Sequence, residues 1–353
     1  MNDSKSMRHL SPGDLEEIAG EFDSIRRSVR DDLGADDERY IRRIVAIQRA
    51  LDVGGRVLLL RARHRPALLG GIALLSVAKI LDNMEIGHNV MHGQWDWLRD
   101  SRIHSSKWKW DAVSPETSWK RAHNYQHHTY TNVVGLDRDL GYSAMRVNAG
   151  QPWHPVYLLQ PIYGVAMAAG FEWGIALYDM DLAEVRRGAK PWADAKQELK
   201  AFGRKACRQV VRDFVVGPAL AGRSWRKALT GLVAANVVRN IWLQTIVFCG
   251  HFPDGAETFT EAQVESETRG AKYVRQLLGS CNLEGTLPFH VMTGHLSYQI
   301  EHHLFPGIPS NRYAEIAPKV RAVCDRFDLP YTSGPLGRQY LSAVKKVVRF
   351  AMP

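Results

Sequence analysis

HNVMH (residues 88–92), HNYQHH (123–128) and QIEHH (299–303) place half of the chain's 14 histidines in three short boxes, and His251 ends an apolar run between the second and third. The i, i+4 spacing of His88 with His92, and of His123 with His127, puts each pair on one face of a helix, aimed at a single centre. His128, one residue on, turns toward a neighbouring centre. With His251, His302 and His303 the set offers more imidazoles than the four ligands that close a structural zinc site, so two metals are easier to supply than one. A lone pair of this kind reads equally well as a core or solvated histidine. Three boxes together are poorly explained by independent accidents.

Imidazoles that bind metal need acceptors to fix their tautomers. Glu85, Asp137, Asp139, Asp254 and Glu301 lie close enough in sequence to serve, each competing with an ordinary role as a surface or turn carboxylate. Asp137 and Glu301 adjoin boxes and are the stronger candidates.

The boxes, together with HHTYTNVVGLDRD (127–139) and YQIEHHLFPGIPSNRYAEIAPKV (298–320), resemble the membrane-bound fatty-acid desaturases. The nearest likeness is to actinobacterial acyl-CoA Δ9 desaturases of the stearoyl-CoA type, whose third box is Q-x-x-H-H. It runs from about Ile41 to Gly334, with further matches at EIGHNVMHGQWDW and FCGHFPDGAE. The resemblance implies that His88, His92, His123, His127, His128, His251, His302 and His303 ligate two iron ions. It implies dioxygen as co-substrate and a long-chain acyl-CoA or acyl-lipid as substrate. Gln299 stands where related desaturases have another histidine. Two positions depart from the family pattern. His295 occupies a place usually held by glycine or asparagine, which makes it an added ligand or a hydrogen-bond donor behind the ligands. Val247 replaces the asparagine that some relatives carry four residues before the equivalent of His251.

At 353 residues the chain can bury a sizeable core, and it contains no repeat or low-complexity linker. The expected organisation is a polar helical segment over 1–40, a desaturase domain over 41–335 and a basic tail over 336–353. The four cysteines have neither close metal spacing nor a secretory context, consistent with reduced thiols. The opening MNDSKSMRHLSPGDLEEIAGEF lacks the apolar core of a signal peptide, and Ser11 followed by Pro12, Asp14 and Glu16 is expected to start a soluble helix. A net charge of +9 comes without any nucleic-acid motif. Lys107, Lys109, Lys120, Arg121 and Arg138 surround the second box, where a CoA headgroup would find cations. Each of these also reads as a solvated charge. Trp95, Trp97, Trp108, Trp110 and Trp119 cluster between the first two boxes, as walls of an acyl slot or equally as an interfacial belt.

Three segments are apolar enough to enter a bilayer: Ala67 to Leu81, Val156 to Tyr178 and Leu229 to Gly250. Glu172 and Arg239 interrupt the second and third, Glu172 being read as a structural acceptor or part of the site. Val210 to Ala221 is amphipathic and suits the interface. A mean hydropathy of −0.27 requires the mass outside the membrane to outweigh the mass within it. Basic flanks before the first and third segments conflict with a cytoplasmic site under the positive-inside tendency, and re-entrant helices satisfy both. The expectation is therefore an all-helical protein, integral to or embedded in the cell membrane, with its histidine boxes facing the cytoplasm.

No dinucleotide fingerprint, haem attachment motif or iron–sulfur cysteine set is present. Electrons would come from a separate NAD(P)H-dependent reductase or ferredoxin, and the basic surface suits an acidic donor. A membrane di-iron hydroxylase shares the three-box layout and remains the alternative. A histidine-rich metal carrier or transporter is the alternative of another class, and it would place its ligands inside apolar spans.

Overall fold

A computed structural model describes residues 5–353 of the chain, and the first four residues of the expected N-terminal segment lie outside it. Helix α1 (Pro12–Asp31) starts as the sequence indicates: the Ser11 hydroxyl caps the Asp14 N–H and the Asp14 carboxylate returns a bond to the Ser11 N–H at 2.7 Å. Helix α2 (Ala35–Leu60) then runs antiparallel to α3 (Arg65–Met91). Their backbones approach closely because glycines face each other. A Cβ on Gly55 would sit 2.9 Å from the Leu75 nitrogen, and one on Gly71 would sit 2.8 Å from Leu59 Cγ. Helix α3 therefore holds a fixed height against α2, and with it the first box at its C-terminal end.

Residues 116–130 form α4, which carries the second box. Helices α5 (Gln160–Ala169) and α6 (Phe171–Asp179) follow, and the single span expected over Val156 to Tyr178 is not formed. The helix breaks at Gly170, whose backbone (φ −100°, ψ 17°) cannot continue it. Helix α7 (Trp192–Val210) leads through a π turn, Val211–Val216, to α8 (Gly222–His251), which lies against α3 and ends on His251. The first and third apolar segments thus lie within α3 and α8, the two helices long and apolar enough to cross a membrane among the described residues.

Charges buried among these helices are paired, since an isolated one would be strongly unfavourable. Lys79 of α3 bonds Asp213 and Asp111, each at 2.9 Å, and Arg239 of α8 pairs with Glu172 of α6.

A second core joins α1 to α9 (Arg269–Leu278), α10 (Gln299–Leu304) and α11 (Tyr313–Arg326) through Phe22, Val274, Leu277, Ile300, Phe305 and Val320. Strands β1 (Asn282–Glu284) and β2 (Ser333–Pro335) pair in parallel beside it and form a two-stranded sheet in an otherwise helical protein. Residues 336–351 of the expected basic tail form helix α12 (Leu336–Ala351), packed on α5 and α8. The Gln160 amide donates to the Val347 carbonyl at 2.6 Å, fastening that contact.

Candidate metal centre

The first box begins at the last residue of a π-helical turn, Asp82–His88 in α3, and the second lies on another, Lys120–His127 in α4. Such turns close i→i+5 bonds and recur at functional sites. In a π turn a four-residue step falls short of a full turn, so the i, i+4 argument does not carry over unchanged. His88, His92, His123 and His302 form one group whose ligand nitrogens all lie within 4.8 Å of each other, and His127, His251 and His303 form another. His128 joins His302 and His303 in a third group that overlaps both. His123 and His127 also lie together with Asp139, but the fuller groups divide them, whereas the spacing alone placed them on one centre.

Tautomers can be assigned from the partners. The Asn89 amide donates to the carbonyls of Glu85 and Gly294, so its oxygen accepts from His88 Nδ1 at 3.1 Å. His123 Nδ1 faces the Asp139 carboxylate at 3.4 Å. Both Nε2 atoms consequently carry lone pairs, and they meet at 3.2 Å. On the other side His251 Nδ1 donates to the Gly279 carbonyl at 3.0 Å, and His303 Nδ1 to the Gln276 side-chain oxygen at 3.0 Å. Their Nε2 atoms also meet, at 3.0 Å. Two lone pairs face to face repel unless a cation lies between or beside them. His92 Nε2, His302 Nε2 and both nitrogens of His128 are buried without any partner. Unpartnered ring nitrogens in this number fit two metal ions and are hard to reconcile with a packed polar core.

The electrostatics agree. Burial holds His128, His302 and His303 well below the usual imidazole range, reinforced by neighbouring imidazoles, which keeps their lone pairs free. His127 differs. Burial opposes its charged form, but Asp137 and Asp139 outweigh that and hold it up at about 9. A field that favours a proton favours a metal cation equally. Asp137 is 3.0 Å from His127 Nδ1 and also accepts the Asn132 and Asp139 N–H groups, at 2.7 and 2.9 Å.

The sequence profile of the fatty acid desaturase family, described as fatty acid desaturase, matches residues 64–335. The chain belongs to this family. The NADPH-dependent stearoyl-CoA 9-desaturase of Mycobacterium tuberculosis is 46% identical to this desaturase over 98% of its chain and 82% of the relative's. An sn-1 linoleoyl-lipid 6-desaturase of Synechocystis is 27% identical over 76% of each chain. Fatty acid desaturase 3 of Bos taurus is 33% identical over 35% of this desaturase and 25% of its own length. The resemblance read from the boxes is thereby borne out.

A cavity of about 100 Å³ opens onto the histidines of the desaturase, reaching His88, His123, His127 and His251. Trp110, Trp119, Phe171, Ile175, Leu243 and Val247 give it mainly apolar walls. Glu172 does double service, lining the cavity while pairing with Arg239 and accepting the Val113 N–H at 3.1 Å. Trp95 and Trp108 stand elsewhere, in a core cluster with Ile41 and Val90, because their loop folds back over α2; Trp97 lies half-exposed on a 3₁₀ turn. Lys107 is exposed, and Arg138 is engaged by Asp181 at 2.6 Å and by the Tyr178 ring. Lys109, exposed and 3.7 Å from Glu116, lines a neighbouring pocket with Arg204, Lys205, Arg208 and Arg212, whose cations outnumber the carboxylates of Asp82, Asp111 and Glu116; Lys205 is paired with Glu116 at 2.7 Å. That pocket shares Trp110 and Ala112 with the apolar cavity.

The remaining candidates separate clearly. His295 lies outside the ligand groups and donates toward Glu85 at 2.8 Å; its φ of +55° explains why glycine or asparagine suits the position. Glu85 spends its other oxygen on Tyr40 and Ser310, so it ties α2, α3 and the 305–312 loop together and orients no box imidazole. Glu301 points away from the boxes to Tyr331 and Asn282, and burial raises it to about 7. Asp254 is exposed. The Gln299 side-chain nitrogen donates to His251 Nε2 at 2.9 Å, and its oxygen is unpartnered. The hydroxyl of Tyr313, 3.3 Å from His302 Nδ1, and the groups at Asn89, Gly279 and Gln276 are orienting partners that sequence reasoning missed.

Proposed function

We propose that the protein is a membrane-embedded di-iron acyl-CoA desaturase that introduces a cis double bond, at Δ9, into a long-chain saturated acyl group. The balance is RCH2–CH2R′ + O2 + 2 e⁻ + 2 H⁺ giving RCH=CHR′ + 2 H2O, with the electrons supplied from outside the chain. The observation that carries the reading is the pair of opposed Nε2 lone pairs, His88 against His123 and His251 against His303, beside a narrow apolar cavity. His88, His92, His123 and His302 would hold one iron, and His127, His251 and His303 the other. His128 would complete the set between them, with the Gln299 side-chain oxygen as a further donor. Iron would supply the activation of dioxygen that no side chain can provide.

The chain's own residues do the rest. Asp137, Asp139, Asn89, Gly279, Gln276 and Tyr313 fix the rings so that each presents a lone pair, which spares the site reorganisation when metal binds. Trp110, Trp119, Ile175, Leu243 and Val247 confine an extended chain beside the histidines and exclude water. Lys109, Arg204, Lys205 and Arg208 sit where the CoA phosphates would lie when the acyl chain enters past Trp110. The named activity of the Mycobacterium tuberculosis relative supports both the carrier and the position.

Helices α3 and α8 are 27 and 30 residues long, roughly 40 Å or more and thus longer than the hydrocarbon thickness. Both deliver histidines of the proposed ligand set at their C-terminal ends. We place them in the cell membrane with the site on the cytoplasmic side, Leu69, Val233, Val238 and Ile241 facing lipid. Expression in a bacterial host with compatible redox partners, followed by gas chromatography of its lipids, tests the assignment. A new cis-monounsaturated acid and close to two irons per chain are expected. A hydroxy acid would transfer the protein to the hydroxylase alternative.

A further inference from the structure

The histidine cluster is reached from two sides. The apolar cavity touches His88, His123, His127 and His251, whereas a separate surface pocket of about 410 Å³ touches His128 and His303 and shares no lining residue with the first. Three cations rim this second pocket, Arg26 from α1 and Arg269 and Lys272 from α9, and no carboxylate lines it. Arg269 pairs with Asp23, and Arg26 lies 3.4 Å from the same carboxylate. Lys272 is exposed and makes no ion pair among the described residues. One carboxylate is shared by two guanidinium groups, so the rim stays positive.

The same helix links rim and centre. Lys272 and Gln276 are four residues apart on α9, on one face. Gln276 accepts from His303 Nδ1 and donates to the His128 carbonyl at 2.8 Å. A partner seated on Lys272 therefore rests one helical turn from the group that orients the His303 imidazole and holds the His128 backbone.

We infer that this pocket is the docking surface for an acidic one-electron carrier protein, which delivers electrons to the metal centre by way of His128 and His303. The inference rests on the di-iron reading above. Each encounter oxidises the carrier by one electron and reduces the centre by one, so two encounters supply the two electrons of the balance. Electron-transfer encounters are small, brief and steered by complementary charge, which suits a patch of three cations around a shallow opening. The acyl-CoA phosphates belong to the other basic pocket, because only that one adjoins the apolar cavity.

The experiment uses purified, metal-loaded full chain in detergent and an acidic plant-type [2Fe–2S] ferredoxin as probe, with affinity read at low and high salt. Lys272→Glu, and Arg26→Glu combined with it, should weaken ferredoxin binding about tenfold or more and flatten its salt dependence, since like charges brought face to face repel strongly. Iron content, acyl-CoA affinity and single turnover of dithionite-reduced enzyme should match the unmodified chain. Arg204→Glu should leave ferredoxin affinity unchanged. Unaltered ferredoxin binding by the Lys272 variant, or its loss in the Arg204 variant, overturns the inference. A dithionite-reduced enzyme that forms no double bond would instead sink the desaturase reading and leave the binding result to be judged alone.

Discussion

The Asp137 carboxylate lies 3.0 Å from His127 Nδ1 while it also accepts the backbone N–H groups of Asn132 and Asp139. One side chain thus fixes both the His127 ring and the turn that follows the second box. Asp137→Asn should keep the helix content but lower metal affinity about 10- to 100-fold, the usual consequence of losing an acceptor behind a metal-bound imidazole. Metal titration of the apo chain, followed by circular dichroism, checks both halves.

Histidines should divide sharply by position. His127→Ala and His302→Ala should abolish turnover and release iron. His9→Ala, which loses a bond to the Phe327 carbonyl, and His154→Ala, which loses a helix cap, should retain both. Metal analysis of the four variants reads the difference, and equal tolerance at all four would refute the ligand set.

Val247 lines the apolar cavity. Val247→Phe fills part of its roughly 100 Å³ and should depress turnover of an eighteen-carbon substrate about tenfold or more, with a smaller loss for a fourteen-carbon one. The ratio of kcat/KM values for the two chain lengths is the measurement.

Asp179 lines the same cavity, and burial pushes it from its ordinary 3.8 up to about 8, against the lowering effect of the Ser114 hydroxyl. A carboxyl raised in this way is neutral near pH 7. Its contribution to stability is complete below 3.8 and is lost progressively as pH rises toward about 8. Thermal unfolding in detergent should show that decline. Asp179→Asn should remove this component of the slope.

Glu172 and Arg239 are both buried and paired. Arg239→Ala should cost about 3–5 kcal/mol, because it strands a carboxylate away from water. Replacing both residues by methionine should recover most of that loss in the same unfolding assay.

The convergence of the box histidines was legible because their spacing repeats and the residue type is chemically narrow. Asp137 was legible because it adjoins a box. The Gly279 carbonyl was not, since a backbone oxygen leaves no mark on side-chain identity, and Gln276 and Tyr313 come from turns of helix with no pattern of their own. The division of His123 from His127 follows from a π turn, which periodicity at the α-helical interval does not reveal. Glu301 misled for a related reason: adjacency to His302 does not imply a shared direction, and its side chain leaves on the opposite side of α10 toward Tyr331. The break at Gly170 escaped notice because the residues on both sides are equally apolar.

The ligand groups join His88 to His302 and His127 to His303, so the centre cannot close until almost the entire chain has left the ribosome. While α3 and α4 are being synthesised their imidazoles have no partners from α10. On the di-iron reading proposed above, metal loading would be completed only once the third box has been made, and the bound ions would stabilise the last closure of the fold.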